Sequence, residues 1–345
     1  MLDPDPGLPE EPSYFIARLR SLHLAVRDRL IADMQTSSVE QWSAVADVRG
    51  GDVMYELDAE VEQIIVDYCE RWAREMPFVV VAEGFADEGV RVFPDGAAEA
   101  DARFRLIVDP IDGTRGIMYD KRSAWVLSGV APNRGPGTSL RDLRVAVQTE
   151  IPTTRQYLAD MLWAAVGEGA RGETHNVLTG EARPFTPRPS GASSIEHGFA
   201  TISKFFPGGK VVIAQIEERL MDALVPPGDD GTPRVFDDEY ISSGGQLYEL
   251  AVGHDRFTAD LRPLALLASA VPRRVGRLCA HPYDLCTELI AREAGALITD
   301  RRGRRLDEPL SIHPNLSWIG YANEAFRAQV EPKLLELLAE LEASL

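Results

Sequence analysis

Three cysteines in 345 residues, Cys69, Cys279 and Cys286, leave an odd thiol under any pairing, and no C-x-x-C pair is present. That argues against a disulfide framework and predicts buried thiols in a reducing, cytoplasmic setting. The six histidines form no H-x-x-x-H and no cluster with cysteine, so zinc is not the expected metal. No apolar run approaches the roughly 20 residues that span a bilayer, and the opening MLDPDPGLPEEP has neither the basic nor the apolar region of a signal peptide. Positive charge is scarce, with 36 Lys and Arg against 54 Asp and Glu and a formal net charge of −18. Such a field repels nucleic acid polymers and anionic membranes. It leaves room for a small anionic substrate, because a bound divalent cation inverts the sign of a local site.

What the chain has is apolar material, 45% of its residues, enough for two domains or one large layered domain. Residues 1–12 read as a disordered tail. Apolar positions Phe15, Ile16, Leu19, Leu22, Val26 and Leu30 recur at helical spacing from Ser13, a candidate cap, to Met34. A short strand over Tyr55 to Leu57 precedes Asp58, read as the N-cap of a second helix with its stripe at Val61, Ile64, Ile65, Tyr68 and Trp72. Strands are expected at 78–81, 104–108, 123–130, 143–148 and 296–299. Loops are expected at 84–103, at 167–194 around a hairpin, and at 225–233. Helices are expected at 211–224, from Asp284 toward Gly295, and at 323–344. A shift to Pro, Asn and Gly at 132–137 puts the softest boundary there, giving halves of 13–140 and 141–345. Strands and helices without a strict βαβ rhythm predict layered α/β or α+β structure.

Four acids, Asp58, Glu83, Asp109 and Asp112, follow apolar strands or open helices. A carboxylate at the end of a strand is held rigidly yet faces a crevice. Several bare carboxylates disfavour one another's ionisation, and a hard divalent cation resolves that conflict. The segment LIVDPIDGT at 106–114 concentrates the signal. Pro110 is expected to stop the strand, a tight turn to aim Asp109 and Asp112 at one place, and Gly113 to let a ligand approach the backbone. Thr114 adds a hydroxyl and an N–H suited to phosphate.

This pattern resembles the inositol monophosphatase superfamily of lithium-sensitive, magnesium-dependent phosphatases. Its strand-then-Glu, DP[ILV]DGT and distant helix-opening Asp correspond to Val81-Ala82-Glu83, DPIDGT at 109–114, and HPYDLCTELIAREAG with Asp284. The likeness runs from about residue 13 to about residue 325. It implies an αβαβα sandwich with a metal-binding N-terminal half and a substrate-shaping C-terminal half. It also implies hydrolysis of an inositol phosphate or a related sugar or nucleotide phosphate by metal-activated water. Two or three Mg²⁺ ions, or Mn²⁺, would be held by Glu83, Asp109, the Ile111 carbonyl, Asp112 and Asp284. Asp58 and Thr114 would orient and deprotonate the attacking water, with Glu83 beside them, and Asp112, Gly113 and Thr114 would seat the phosphate. A homodimer is the family's common assembly. The alternative is a catalytically weak relative that binds metal or a phosphometabolite for regulation.

Three departures bear on substrate and metal count. Gly84 stands where the family often has a second acid, which weakens the case for a third ion. Tyr283 replaces the usual Trp before the last metal-binding Asp. Arg277 stands seven residues before Asp284, where the inositol enzymes carry a sugar-contacting Glu. Arg277, Arg115 and Lys121 are candidates for gripping a second phosphate or a carboxylate, or are solvated surface charges. His281 is either a general acid or a packed residue. Ser243-Gly244-Gly245-Gln246 either lines the pocket or is a plain turn. DPIDGT also looks like the D-x-D-G-T of haloacid-dehalogenase-type phosphatases, but its acids are three apart rather than two.

Overall fold

The structure is a computed structural model that describes residues 7–36, 45–49, 52–85, 88–206, 208–225, 232–268, 279–343 and 345, with the backbone alone at 45–49 and 52–59. Helix α1 (Pro12–Thr36) and helix α2 (Glu56–Trp72) flank a small ribbon of β1 (Val45–Arg49) and β2 (Asp52–Tyr55). Of the stripe expected for α1, Phe15, Leu19, Leu22, Val26 and Leu30 are all at most 2% exposed, and Ile16 is half-buried. Helix α2 begins two residues before the expected cap, so Asp58 lies in its first turn rather than at its N-cap. Acids are favourable throughout that turn because the free N–H groups carry partial positive charge.

An eight-stranded sheet follows, made of β3 (Phe78–Ala82), β4 (Val90–Phe93), β5 (Phe104–Asp112), β6 (Ala124–Pro132), β7 (Val145–Ile151), β8 (Leu158–Ala165), β9 (Gly169–Asn176) and β10 (Ala182–Phe185). Its spatial order is β10-β9-β8-β7-β6-β5-β3-β4, with β3 and β5 parallel and the other neighbours antiparallel. Strand β4 lies inside 84–103, where the sequence predicts only a loop: it is four residues long, only Phe93 is buried, and pairing with β3 orders it. The hairpin expected within 167–194 is β9 with β10.

A five-stranded sheet has the order β12-β11-β13-β15-β14, from β11 (Gly198–Ile202), β12 (Val235–Phe236), β13 (Asp255–Asp260), β14 (Leu297–Asp300) and β15 (Trp318–Tyr321). The remaining helices are α3 (Thr114–Met118), α4 (Lys210–Leu224), α5 (Ser243–Ala251), α6 (Arg262–Ala268), α7 (Glu288–Ala294) and α8 (Glu324–Ala343).

Three apolar clusters show how the layers stack. Phe78, Val80, Phe104, Leu106 and Val108 pack against α1 and α2. On the opposite face, Val81, Ile107, Trp125 and Leu127 pack against Leu247 and Leu250 of α5 and Leu289 and Ile290 of α7. Those helices also touch Ile298 and Trp318 of the smaller sheet, whose far face packs Phe257, Ile319 and Tyr321 against α4, α6 and α8. The order is helix, sheet, helix, sheet, helix, as the resemblance implies. Because β3 and β5 are covered on both faces, they read as continuous apolar runs rather than alternating ones. No described helix is long and apolar enough to cross a membrane.

Candidate metal centre

Strand β5 does not stop at Pro110. Its ladder to β6 pairs Asp109 with Leu127, slips, and resumes with Asp112 opposite Trp125. Three steps on one strand thus match two on the other, which is a β-bulge. In a regular strand, residues three apart face opposite sides. The extra residue turns Asp109 and Asp112 to the same side, and Pro110 sits within the bulge, where no ladder N–H is required.

Asp284 joins them from a segment 172 positions further along the chain than Asp112. It lies in the turn before α7 rather than inside the helix, which begins at Glu288. Carboxylate oxygens of Asp109, Asp112 and Asp284 all lie within 4.8 Å of one another. Asp109 is 2% exposed and Asp112 is 6% exposed.

Burial and charge crowding make this arrangement unfavourable as three bare anions. Burial, then the charges of Asp112, Asp284 and Glu83, push the Asp109 carboxyl well above its ordinary pKa, against one Ile111 N–H donated to its Oδ1 at 3.0 Å. Burial, then Asp284, push Asp112 up to about 7, against donors at Ser242, Gly244 and Ser243. Ser242 Oγ donates to Asp112 Oδ2 at 2.7 Å and the Gly244 N–H donates to the same oxygen at 2.5 Å. The Asp284 Oδ2 accepts the His281 N–H at 2.5 Å. A set of converging carboxylate oxygens fits a hard divalent cation, which supplies the positive charge the cluster calls for.

Glu83 follows β3 and is half-buried, within electrostatic reach of Asp109. Thr114 opens α3 and donates its hydroxyl to the Ile111 carbonyl at 2.7 Å. Gly113 has φ of +91°, and a Cβ there would stand 3.0 Å from Ser242 Cβ, so a side chain would be both strained and crowded. From sequence, 243–246 is either a pocket lining or a plain turn. It is the start of α5, and Ser242, not singled out from sequence, caps that helix by accepting the Gly245 N–H at 2.8 Å. A serine three residues ahead of an amide it can cap is the signal that was there to find.

The same architecture occurs in solved structures. Fructose-1,6-bisphosphatase of Leishmania major in its holo form matches with a TM-score of 0.65 at 12% identity, over 96% of each chain. The extragenic suppressor protein suhB of Bartonella henselae matches with a TM-score of 0.60 at 19% identity, over 93% of this chain and 98% of that one. An IMPase of Thermotoga maritima matches with a TM-score of 0.56 at 16% identity, over 94% and 96%. The chain shares its fold with these inositol monophosphatase, suhB and fructose-1,6-bisphosphatase structures. No sequence model of a known family matches the chain, and no curated protein sequence does.

Within this inositol monophosphatase fold the other candidates fall as follows. The Asp58 backbone lies in α2, with its side chain outside the described residues, and Arg277 lies outside them altogether. Gly84 is in the turn after Glu83. His281 is 1% exposed, its ring is stacked on Tyr283 at 5.2 Å, and its Nδ1 lies 3.3 Å from Asp284 Oδ2, so it packs against the carboxylate cluster. Lys121 is exposed. Arg115 lies with its guanidinium 5.3 Å from the centre of the Phe206 ring.

Proposed function

We propose that this chain hydrolyses a small phosphate monoester with the help of Mg²⁺, or Mn²⁺ in its place. The observation that carries the reading is the convergence of Asp109, Asp112 and Asp284 within 4.8 Å, on a fold shared with phosphatases. Glu83, Asp109, the Ile111 carbonyl, Asp112 and Asp284 would hold the ions. When bound, the ions neutralise charge on the phosphoryl and leaving oxygens and lower the pKa of water.

The remaining work falls to the chain's own groups. The Ile111 carbonyl has two lone pairs, so accepting the Thr114 hydroxyl leaves one available. That hydrogen bond fixes the Thr114 oxygen, which would accept a hydrogen bond from the attacking water and orient it while the Asp58 carboxylate takes the proton. The Gly113–Thr114 backbone seats the phosphate, next to the α5 start that holds Asp112 in place. Lithium inhibition, a homodimeric assembly, a cytoplasmic setting and a small phosphorylated metabolite as substrate belong to the same reading.

The test is phosphate release from a panel of inositol, sugar and nucleotide phosphates, with and without Mg²⁺ and with lithium added. Release that depends strictly on Mg²⁺ supports the reading. A folded chain that binds Mg²⁺ and releases phosphate from no member overturns it in favour of a regulatory binding role.

A further inference from the structure

Helix α1 carries polar side chains that the metal centre does not use. His23 is satisfied at both ring nitrogens, by Thr149 and Ser128. Arg20 lies about one turn before it and Arg27 about one turn after it. Arg20 reaches Glu173 of β9 at 2.5 Å, with its guanidinium 4.1 Å from the centre of the Trp163 ring on β8. Met161, part of the apolar cluster under α1, is the register partner of Glu173. Glu173 and His175, two residues on, therefore both face the helix.

Two nitrogens in this layer are shielded from solvent and have no hydrogen-bond partner, Arg27 Nη1 and His175 Nε2. Arg27 is 6% exposed, and its Nε and Nη2 both donate to one oxygen of Asp28, at 3.1 and 3.0 Å. The Asp28 side chain is 64% exposed, so that pair leaves the buried side of the guanidinium uncompensated. Glu173 Oε2 lies 3.3 Å from His175 Nε2, but it is the oxygen that takes Arg20. Burial, then the Arg27 charge, hold the His175 ring below its ordinary pKa, with Arg20 adding to the effect against Glu173. Arg27 and His175 thus stand within electrostatic reach of each other.

Buried donors in folded proteins find acceptors, and a guanidinium has donors only. Water would take the Nη1 hydrogen bond but bring no charge. A small oxyanion brings both. A second of its oxygens accepts from Nε2 once the neutral ring carries its one N–H there.

We propose that Arg27 and His175, with Arg20 beside them, form a second anion site between α1 and β9, for a small tetrahedral oxyanion such as inorganic phosphate. The site is on the face of the large sheet opposite α5, which holds Asp112. It lies four strands from β5, about 19 Å at the usual spacing of neighbouring strands. It takes no metal, and it stands or falls separately from the phosphatase reading. Phosphate bound there ties the outer helical layer to the far part of the sheet.

The test is a titration of the metal-free chain, in chelator, with sodium phosphate against sodium chloride of equal ionic strength. The ring resonances of His175, assigned with His175→Gln, are the local readout and Tm is the global one. The expected result is a saturable shift of the His175 resonances and a Tm that rises with phosphate as binding to the folded state requires. Phosphate strengthens burial in any protein, so the gain in Tm is read against the same titration of Arg27→Met. Arg27→Met keeps an apolar stem and should weaken binding about tenfold or more, and Arg27→Lys should restore part of it. Sulfate should act as phosphate does. No saturable shift at His175, or equal affinity in Arg27→Met and the wild type, overturns the site in favour of an ordered water on Nη1. If Arg27→Met does not fold, the wild-type titration at His175 decides by itself.

Discussion

Ser242 and Asp112, 130 residues apart in sequence, are joined by a hydrogen bond of 2.7 Å that the serine donates while its own oxygen caps α5. One hydroxyl therefore fixes a carboxylate of the acidic cluster to the start of a helix in the middle layer. The adjacent Gly244 N–H completes the clasp.

Ser242→Ala removes both bonds. The expected outcome is a chain less stable by about 1–3 kcal/mol, with Mg²⁺ affinity reduced about 10-fold or more. Gly244→Ala acts by crowding, since its Cβ would lie 2.9 Å from Asp112 Oδ2 and 2.6 Å from Leu127 Cδ2. It should cost more affinity than Ser242→Ala. Thermal unfolding and Mg²⁺ calorimetry on both variants check this, and wild-type affinity in Gly244→Ala would contradict the clasp.

Asp109→Asn should abolish phosphate release and weaken metal binding while the fold persists. In the metal-free chain it should raise Tm, because Asp109 is buried among like charges and is held well above its ordinary pKa. A lower Tm with metal removed would show that the ionised carboxylate is stabilising, contrary to the geometry.

The pH dependence of the metal centre follows from Asp112, pushed up to about 7 by burial and by Asp284. A carboxylate raised in the folded state is a cost to folding that grows as pH rises from its ordinary value through 7. The metal-free chain should thus lose stability toward pH 8, and Mg²⁺ should restore it. Below pH 7 the ion must displace a proton, so apparent affinity should fall by about tenfold per pH unit for each proton released. Calorimetry in buffers of different ionisation enthalpy counts those protons, and pH-independent binding would refute the crowded cluster.

His23 offers a pH prediction remote from the metal centre. It is fully buried, hydrogen-bonded to Thr149 at 2.9 Å and Ser128 at 2.7 Å, and burial lowers its pKa to about 3. The unfolded chain binds a proton at this ring below its ordinary pKa of 6.5 and the folded chain does not, so its effect on stability is absent above that value. As pH falls toward 3 the chain should lose about 1.4 kcal/mol per unit from this residue. His23→Gln should flatten that part of the acid-unfolding profile. An unchanged slope between pH 6 and pH 4 would mean that His23 is protonated in place.

Layered α/β structure was legible because the main strands and helices carry their burial pattern openly, and the five-layer order followed from the resemblance carried by DPIDGT. LIVDPIDGT ends an apolar run in acids, and α1 repeats its core side chains at helical spacing. Parts of the smaller sheet and α5 were less legible. Strands β11, β13 and β15 are only 5, 6 and 4 residues long. Helix α5 opens on Ser-Gly-Gly, residues with weak helix preference, and owes its place to packing between the sheets.

For the site, the sequence by itself determined which acids are present and that Glu83 follows one strand and Asp112 closes another, whereas Asp109 lies inside β5 and Asp284 in the turn before α7. It did so because strand termini and the Pro-Gly turn are set by local backbone preferences. Only the tertiary structure decided that Asp109 and Asp112 face the same way, since this depends on a bulge defined by pairing with β6. It alone decided that Ser242 and Gly244 grip Asp112 and that Arg115 meets Phe206, contacts spanning 130, 132 and 91 positions. Hydrogen bonds and ring contacts at such separations come from how layers stack, and no local pattern in the chain encodes them.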